Sequence, residues 1–233
     1  MKYLTIKPYN KAMEELLSLL SPHATVRSVK KGSTLLYQSE IPREAFIVKK
    51  GYIRAYTITS SGDERTVALH TRGDIFPLSW IYGETKNTLF YYEAGSDAEV
   101  SCISKTQLTA IIASSPELMA WLLRFTVNEQ TALLMRITAL EQSNATEKIA
   151  LTLYYLLIRH GIERKPGLYT IDIKMTQSMI ASLVGLTRES TAVTIAKLKQ
   201  RGVITYSNFI YVVNRSNLEK LVGEDNFKNV SLK

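Results

Sequence analysis

Residues 175–204 carry the pattern that most restricts how this chain can fold, because two short helical stretches flank a single glycine, Gly185. Thr176 is a helix-capping residue type, and an apolar stripe at helical spacing follows it: Met179, Ile180, Leu183 and Val184. Thr187 is placed to cap the second helix, which is expected to end at Gly202. A tight turn at a glycine between two capped helices predicts a helix-turn-helix.

The second of these helices combines an apolar inner face (Thr191, Ile195 and Leu198) with a polar first turn. Arg188 can donate two parallel hydrogen bonds to guanine, and Glu189 can accept one from cytosine. The strand-like runs Ile204–Ser207 and Phe209–Val213 then predict a hairpin that acts as a wing. The alternative interpretation is an ordinary helical hairpin with surface charges. The predicted DNA-contacting residues are Thr176, Gln177, Thr187, Arg188, Glu189, Ser190, Val193 and Lys197.

Positive charge is concentrated in the last third of the chain. The 233 residues have a net charge of +8, and residues 146–233 hold 13 Lys and Arg against 7 Asp and Glu. Such asymmetry favours a polyanionic partner such as double-stranded DNA, although a basic surface is also typical of proteins that are merely soluble.

A second long-range feature is a stretch without Gly or Pro, which begins after Ser115-Pro116-Glu117 and lasts until Gly161. Residues at alternating spacings of four and three form a seam: Thr126, Gln130, Leu133, Ile137, Leu140 and Asn144. Polar Gln130 and Asn144 interrupt the seam as register-setting residues do, which favours a dimer interface over burial against the chain's own sheet. Ser143–Glu147 is expected to separate two helices, with Thr146 as the N-cap of the second.

The first half of the chain has a different pattern. Lys11–Leu20 predicts a short helix. Short β-branched and aromatic runs separated by Gly turns follow from Ala24 to Ser104, which predicts a compact antiparallel sandwich or barrel. We therefore expect an α+β fold with a sensor domain at 1–115, a dimerisation helix and hinge at 116–145, and a DNA-binding domain at 146–233.

Composition excludes several classes of protein. Cys102 is the only cysteine, which excludes an internal disulfide and cysteine-rich metal sites, and no cofactor or metal is expected. The N-terminus lacks the apolar core of a secretion signal, and the longest apolar stretch, around Leu151–Ile158, is too short to span a membrane. We expect a cytoplasmic protein. Since no nucleophile–base pair or phosphate loop can be found, an enzyme is not expected.

From about Lys31 to Val213 the chain resembles the Crp/Fnr family of bacterial regulators. The residues that carry the resemblance are Gly32, Gly51, Gly62, Gly73-Asp74, Ser115-Pro116-Glu117 and the run from Gly185 to Ser190. The resemblance implies an N-terminal antiparallel, jelly-roll-like β-roll, a long dimerisation helix and a C-terminal winged helix-turn-helix. It also implies a homodimer on a two-fold symmetric operator, with RNA polymerase as a further partner. Arg188 and Glu189 would read bases, but Val193 stands where the family usually has a third reader, an arginine.

Cyclic-nucleotide-binding members of this family have a Gly-Glu pair and an Arg-Ser pair that hold the ribose and the phosphate. Here the corresponding stretches are Ile75–Trp80 and Asn87–Phe90, in which neither the acid nor the Arg is present, and Leu133-Leu134 replaces the hydroxyls offered to the base. The comparison therefore predicts that cyclic nucleotides do not control the chain. Trp80, Thr88, Leu89 and Leu133 could instead line a pocket for an unknown small-molecule effector, although the aromatic residues nearby could equally be plain core.

Two function classes remain besides the enzyme. The first is a sequence-specific transcription regulator. The second is a sensor module that signals through protein contacts, with the winged helix as an interaction domain. DNA binding through phosphates must weaken steeply as salt rises, whereas an apolar protein contact need not, so the two can be distinguished.

Overall fold

The computed structural model of the chain describes residues 11–223. Contacts divide it into two compact units, the first ending at Phe125 and the second beginning at Thr126.

The first unit contains two antiparallel four-stranded sheets, three complete helices and the first part of a fourth. Its helices are α1 (Lys11–Leu20), α2 (Leu78–Ile81), α3 (Lys105–Ala113) and the first part of α4 (Pro116–Leu140). Its strands are β1 (Thr25–Val29), β2 (Thr34–Leu36), β3 (Ala45–Lys50), β4 (Tyr52–Ile58), β5 (Glu64–Thr71), β6 (Ile75–Phe76), β7 (Tyr91–Ala94) and β8 (Ala98–Ile103). One sheet has the order β1-β8-β3-β6, and the other has the order β2-β7-β4-β5.

One apolar core lies on each side of the first sheet. Strand β3 alternates between them, because Ile47 belongs to the core shared with the helices while Phe46 and Val48 belong to the core shared with the second sheet. The predicted sandwich and the predicted helix over Lys11–Leu20 are confirmed. The turn at Gly51 requires glycine, since it has a φ of +74° and a Cβ there would lie 2.4 Å from the Asp97 carbonyl oxygen.

The second unit comprises the rest of α4, four further helices and a third antiparallel sheet. The helices are α5 (Ala145–His160), α6 (Gln177–Val184), α7 (Arg188–Gln200) and α8 (Arg215–Val222). The sheet has the order β11-β12-β10-β9, formed by β9 (Gly161–Lys165), β10 (Leu168–Ile171), β11 (Ile204–Ser207) and β12 (Ile210–Asn214).

Two local predictions near α5 are wrong. The N-cap of α5 is Asn144, whose side-chain oxygen accepts a hydrogen bond from the Glu147 N–H at 2.8 Å, so Thr146 lies inside the helix. Asn144 also lies beyond the end of α4 and therefore cannot continue the predicted seam. Immediately after α5, Gly161–Lys165 form strand β9, which pairs with β10.

No single helix in the described part of the chain is long and apolar enough to cross a membrane; α3 and α4 meet that criterion only as a pair, bent by 112°.

Candidate nucleic-acid interface

Helices α6 and α7 form the helix-turn-helix that the sequence predicted. The Thr176 hydroxyl oxygen accepts a hydrogen bond from the Met179 N–H at 3.1 Å, and the Thr187 hydroxyl oxygen accepts one from the Ser190 N–H at 3.1 Å. Gly185 ends α6 in the left-handed conformation, with a φ of +70°. Each of these residues caps a helix end that lies within three residues of it in sequence, which is why local sequence predicts the motif.

Helix α7 buries one face and presents the other. Thr191, Ile195 and Leu198 are buried as predicted. Five of the predicted DNA-contacting residues on and before α7 are exposed, and Ser190 is half-buried. The exposed residues are Thr187, Arg188, Glu189, Val193 and Lys197. At the start of α6, Thr176 is exposed and Gln177 is half-buried.

The Thr187 cap should contribute measurably to stability. Thr187→Ala removes the acceptor for the Ser190 N–H and should lower the free energy of unfolding by about 1 kcal/mol. Urea unfolding without DNA measures this loss. Thr187→Ser keeps the hydroxyl and is the matched control; equal destabilisation by both variants would show that the threonine methyl group, and not the cap, matters.

The predicted wing is the β11–β12 hairpin. Its turn contains Asn208 and Phe209, which both have positive φ, and the Phe209 side chain is exposed. The Phe209 carbonyl accepts a hydrogen bond from the Met175 N–H at 2.8 Å, which holds the turn beside the start of α6. Behind the turn, Tyr211 is fully buried, and burial raises the pKa of its phenol, so this side chain stays neutral.

The predicted dimerisation residues lie on an exposed face of α4. Leu133 and Ile137 are 53% and 51% exposed, and Thr126, Gln130 and Leu140 are exposed as well. Sequence reasoning missed Val127 and Leu134, which are exposed apolar residues of the same helix. Their spacing of seven was the available signal, since residues two turns apart lie on one side of a helix. We call the residues Val127, Gln130, Leu133, Leu134, Ile137 and Leu140 the α4 stripe.

The residues predicted to line an effector pocket have different surroundings. Trp80 lies in the core that the first sheet shares with the helices, and Thr88 is buried and donates its hydroxyl hydrogen to the Tyr37 carbonyl at 2.5 Å. Leu89 is exposed, and Leu133 belongs to the second unit. The neighbouring Tyr92 lies in the other core. Among residues 11–223, no group of His, Cys, Asp and Glu side chains is arranged to hold a metal ion.

Two family models match the chain in succession. A model of the cyclic nucleotide-binding domain matches residues 26–115, and a model of the Crp-like helix-turn-helix domain matches residues 147–221. The first covers the two-sheet unit up to the start of α4, and the second covers the helices and hairpin of the interface.

Curated relatives match over most of the chain. The fumarate and nitrate reduction regulatory protein of Vibrio cholerae is 26% identical over 84% of this chain and 78% of its own length. Electron transport regulator A of Shewanella oneidensis is 25% identical over the same shares. Among solved structures, FixK2 from Bradyrhizobium japonicum has a TM-score of 0.70 and 22% identity, with 85% of this chain and 96% of that chain covered. These similarities, with the exposed polar face of α7, make the chain a member of the Crp/Fnr family of DNA-binding transcription regulators.

Proposed function

We propose that this regulator binds a two-fold symmetric operator as a homodimer and that cyclic nucleotides do not control it. The observation that carries the proposal is the polar exposed face of α7 with Arg188 and Glu189 in its first turn, behind a capped and glycine-terminated α6. This first turn is the part of a recognition helix that enters the major groove.

The exposed side chains support distinct roles in reading DNA. Arg188 would donate to the O6 and N7 of one guanine, and Glu189 would accept from the N4 of a cytosine. The Thr187 oxygen already accepts the cap hydrogen bond, but its O–H remains able to donate to a phosphate. Val193 is 56% exposed and has no donor, so we expect weak preference or a contact with a thymine methyl group at its base pair.

The α4 stripe supports the homodimer. It sets several large apolar side chains in solvent along one helix, and burial of such a surface against a second copy is favourable. A dimer would present two copies of α7 to half-sites about 34 Å apart, one helical turn of DNA. RNA polymerase is the proposed further partner, and the cytoplasm is the proposed compartment; regulation, rather than catalysis, is the proposed activity.

Selection of bound sequences from random DNA tests this proposal. The full-length protein should enrich an inverted repeat with a centre-to-centre spacing of about 10 base pairs, and binding to it should weaken steeply between low and physiological salt. Enrichment of no sequence, or affinity that does not change with salt, would contradict it and favour signalling through protein contacts.

The first unit supports independence from cyclic nucleotides. Thr88 is uncharged and buried, and its hydroxyl already donates to the Tyr37 carbonyl, so it offers a phosphate neither a cation nor a free donor. Between the sheets, the Phe76 ring stacks on the Phe46 and Tyr92 rings, with 5.3 Å and 4.9 Å between ring centroids, so aromatic side chains occupy this part of the interior. A cyclic phosphate placed beside Thr88 and Leu89 would lose its hydration without gaining a cation from either residue, which costs several kcal/mol.

Cyclic AMP and cyclic GMP should therefore fail to bind. Titration calorimetry at millimolar nucleotide is expected to give only heats of dilution, and operator affinity should be unchanged when either nucleotide is present. A saturable signal with a dissociation constant near 1 μM, equivalent to about 8 kcal/mol, would contradict this prediction.

A further inference from the structure

A buried arginine on α4 contacts the helix that precedes the recognition helix. Arg136 is 8% exposed, and its guanidinium donates a hydrogen bond to the Leu183 carbonyl oxygen at 3.2 Å. The two residues are 47 positions apart in sequence, and both belong to the second unit. Leu183 is the penultimate residue of α6, immediately before Val184 and the Gly185 turn.

The acceptor is a carbonyl that the helix itself cannot satisfy. The last four carbonyls of α6 have no donor within the helix, and the Gly185 and Leu186 N–H groups of the turn donate to the Ala181 carbonyl. The Leu183 carbonyl, nearer the end, accepts instead from Arg136. The C-terminal end of a helix also carries partial negative charge, which a cation stabilises. Arg136 thus supplies both the donor and the charge that this helix end requires.

Burial of the Arg136 guanidinium ties its hydrogen bond with the Leu183 carbonyl to one placement of α6 on α4. Loss of hydration lowers the pKa of Arg136, although the nearby Tyr155 phenol acts in the opposite direction. A buried charge that has left water depends on the partners that surround it, so displacement of α6 from α4 would leave the guanidinium poorly solvated.

An ion pair on α4 accompanies the Arg136 hydrogen bond. Glu129 lies two turns before Arg136 on α4, and its carboxylate forms an ion pair with Arg159 in the last turn of α5. Arg159 is 5% exposed. The second half of α4 is therefore joined to both α5 and α6 through charged side chains, of which Arg136 and Arg159 are buried.

From this geometry we infer that Arg136 is a positioning residue for operator recognition: it holds the end of α6, and with it the Gly185 turn and the start of α7, at a fixed place on α4. Ile137, the next residue, belongs to the α4 stripe and faces solvent, so adjacent residues serve the dimer surface and the DNA-binding helices. This inference rests on the proposed dimer. In that dimer, Arg136 would set the separation of the two recognition helices and hence the preferred half-site spacing.

The test measures tolerance of operator spacing. Arg136→Met, which keeps an unbranched apolar side chain but removes the charge and the donors, is compared with wild type on the selected operator and on versions lengthened or shortened by one base pair. One base pair rotates a half-site by roughly 35°, so the wild type should prefer the parent spacing about tenfold. The variant should lose most of this preference, to within about threefold, while it sediments as the wild type does.

Two further variants make the outcome decisive. Arg136→Lys keeps the cation and should recover most of the spacing preference. Arg124→Met removes an exposed arginine from the same helix and should change nothing. Wild-type spacing preference in Arg136→Met would overturn the inference. So would an equal loss of affinity on every spacing with a lowered unfolding temperature, since Arg136 would then act on stability alone. Failure of the wild type to prefer any paired half-sites would instead contradict the proposed dimeric function.

Discussion

Ile137→Glu is expected to dissociate the proposed dimer and to abolish binding to the two-fold operator. Ile137 is half-exposed in the isolated chain, so a glutamate there should leave the protomer folded. In a dimer joined through the α4 stripe, two carboxylates would be buried near each other at the two-fold axis. Placing uncompensated charge at such an interface costs on the order of 3–5 kcal/mol, which weakens association by roughly two to four orders of magnitude.

Sedimentation equilibrium measures this change, and circular dichroism checks that the variant is folded. Thr138→Glu is the matched control, because it introduces the same charge at the adjacent position, which the α4 stripe does not include. Thr138→Glu should remain dimeric. If Ile137→Glu sediments as the wild type does, the α4 stripe is not the dimer interface.

Arg188→Ala is expected to remove sequence preference at one G·C pair in each half-site. The side chain is exposed in the first turn of α7, where a guanidinium can donate two parallel hydrogen bonds to one guanine. Its loss should cost roughly 1–3 kcal/mol per contact on the selected operator, and operators changed at that base pair should then bind the variant nearly as well as the parent sequence.

Competition binding against random DNA distinguishes base reading from phosphate contact. Lys197→Ala is the comparison variant, because an exposed lysine near the end of α7 should weaken operator and random DNA alike and reduce the salt dependence. A parallel loss of affinity for operator and random DNA in Arg188→Ala would make Arg188 a phosphate contact, and the guanine would need another reader.

Local sequence was enough to predict the helix-turn-helix. The caps at Thr176 and Thr187 bond to N–H groups three residues away, and Gly185 adopts a left-handed conformation that it reaches at no steric cost. These interactions are complete within a few residues, so their residue types and spacing determine them. The same holds for the apolar periodicity that predicted α1 and for the β-branched and aromatic runs between Gly turns that predicted a sandwich or barrel.

The structure, and not the local sequence, determines which of two nearby residues caps the start of α5. Asn144 and Thr146 are both good N-cap residue types, and the N-cap was predicted at Thr146. In the structure α5 begins one residue after Asn144, whose side chain accepts from the Glu147 N–H. Because the N-cap lies two positions before the predicted one, α5 is two residues longer than predicted, and Asn144 does not belong to the seam on α4.

By itself, therefore, the sequence determined the kinds of helices and strands, the helix-turn-helix and its polar reading turn. Only the tertiary structure decided which faces are covered: Trp80 and Tyr92 lie in different cores, although both belong to one aromatic stretch. Nor could any spacing rule pair Arg136 with the Leu183 carbonyl, 47 residues away. A backbone carbonyl has no residue-specific signature, and whether a charged side chain meets one in the interior depends on how complete helices pack together.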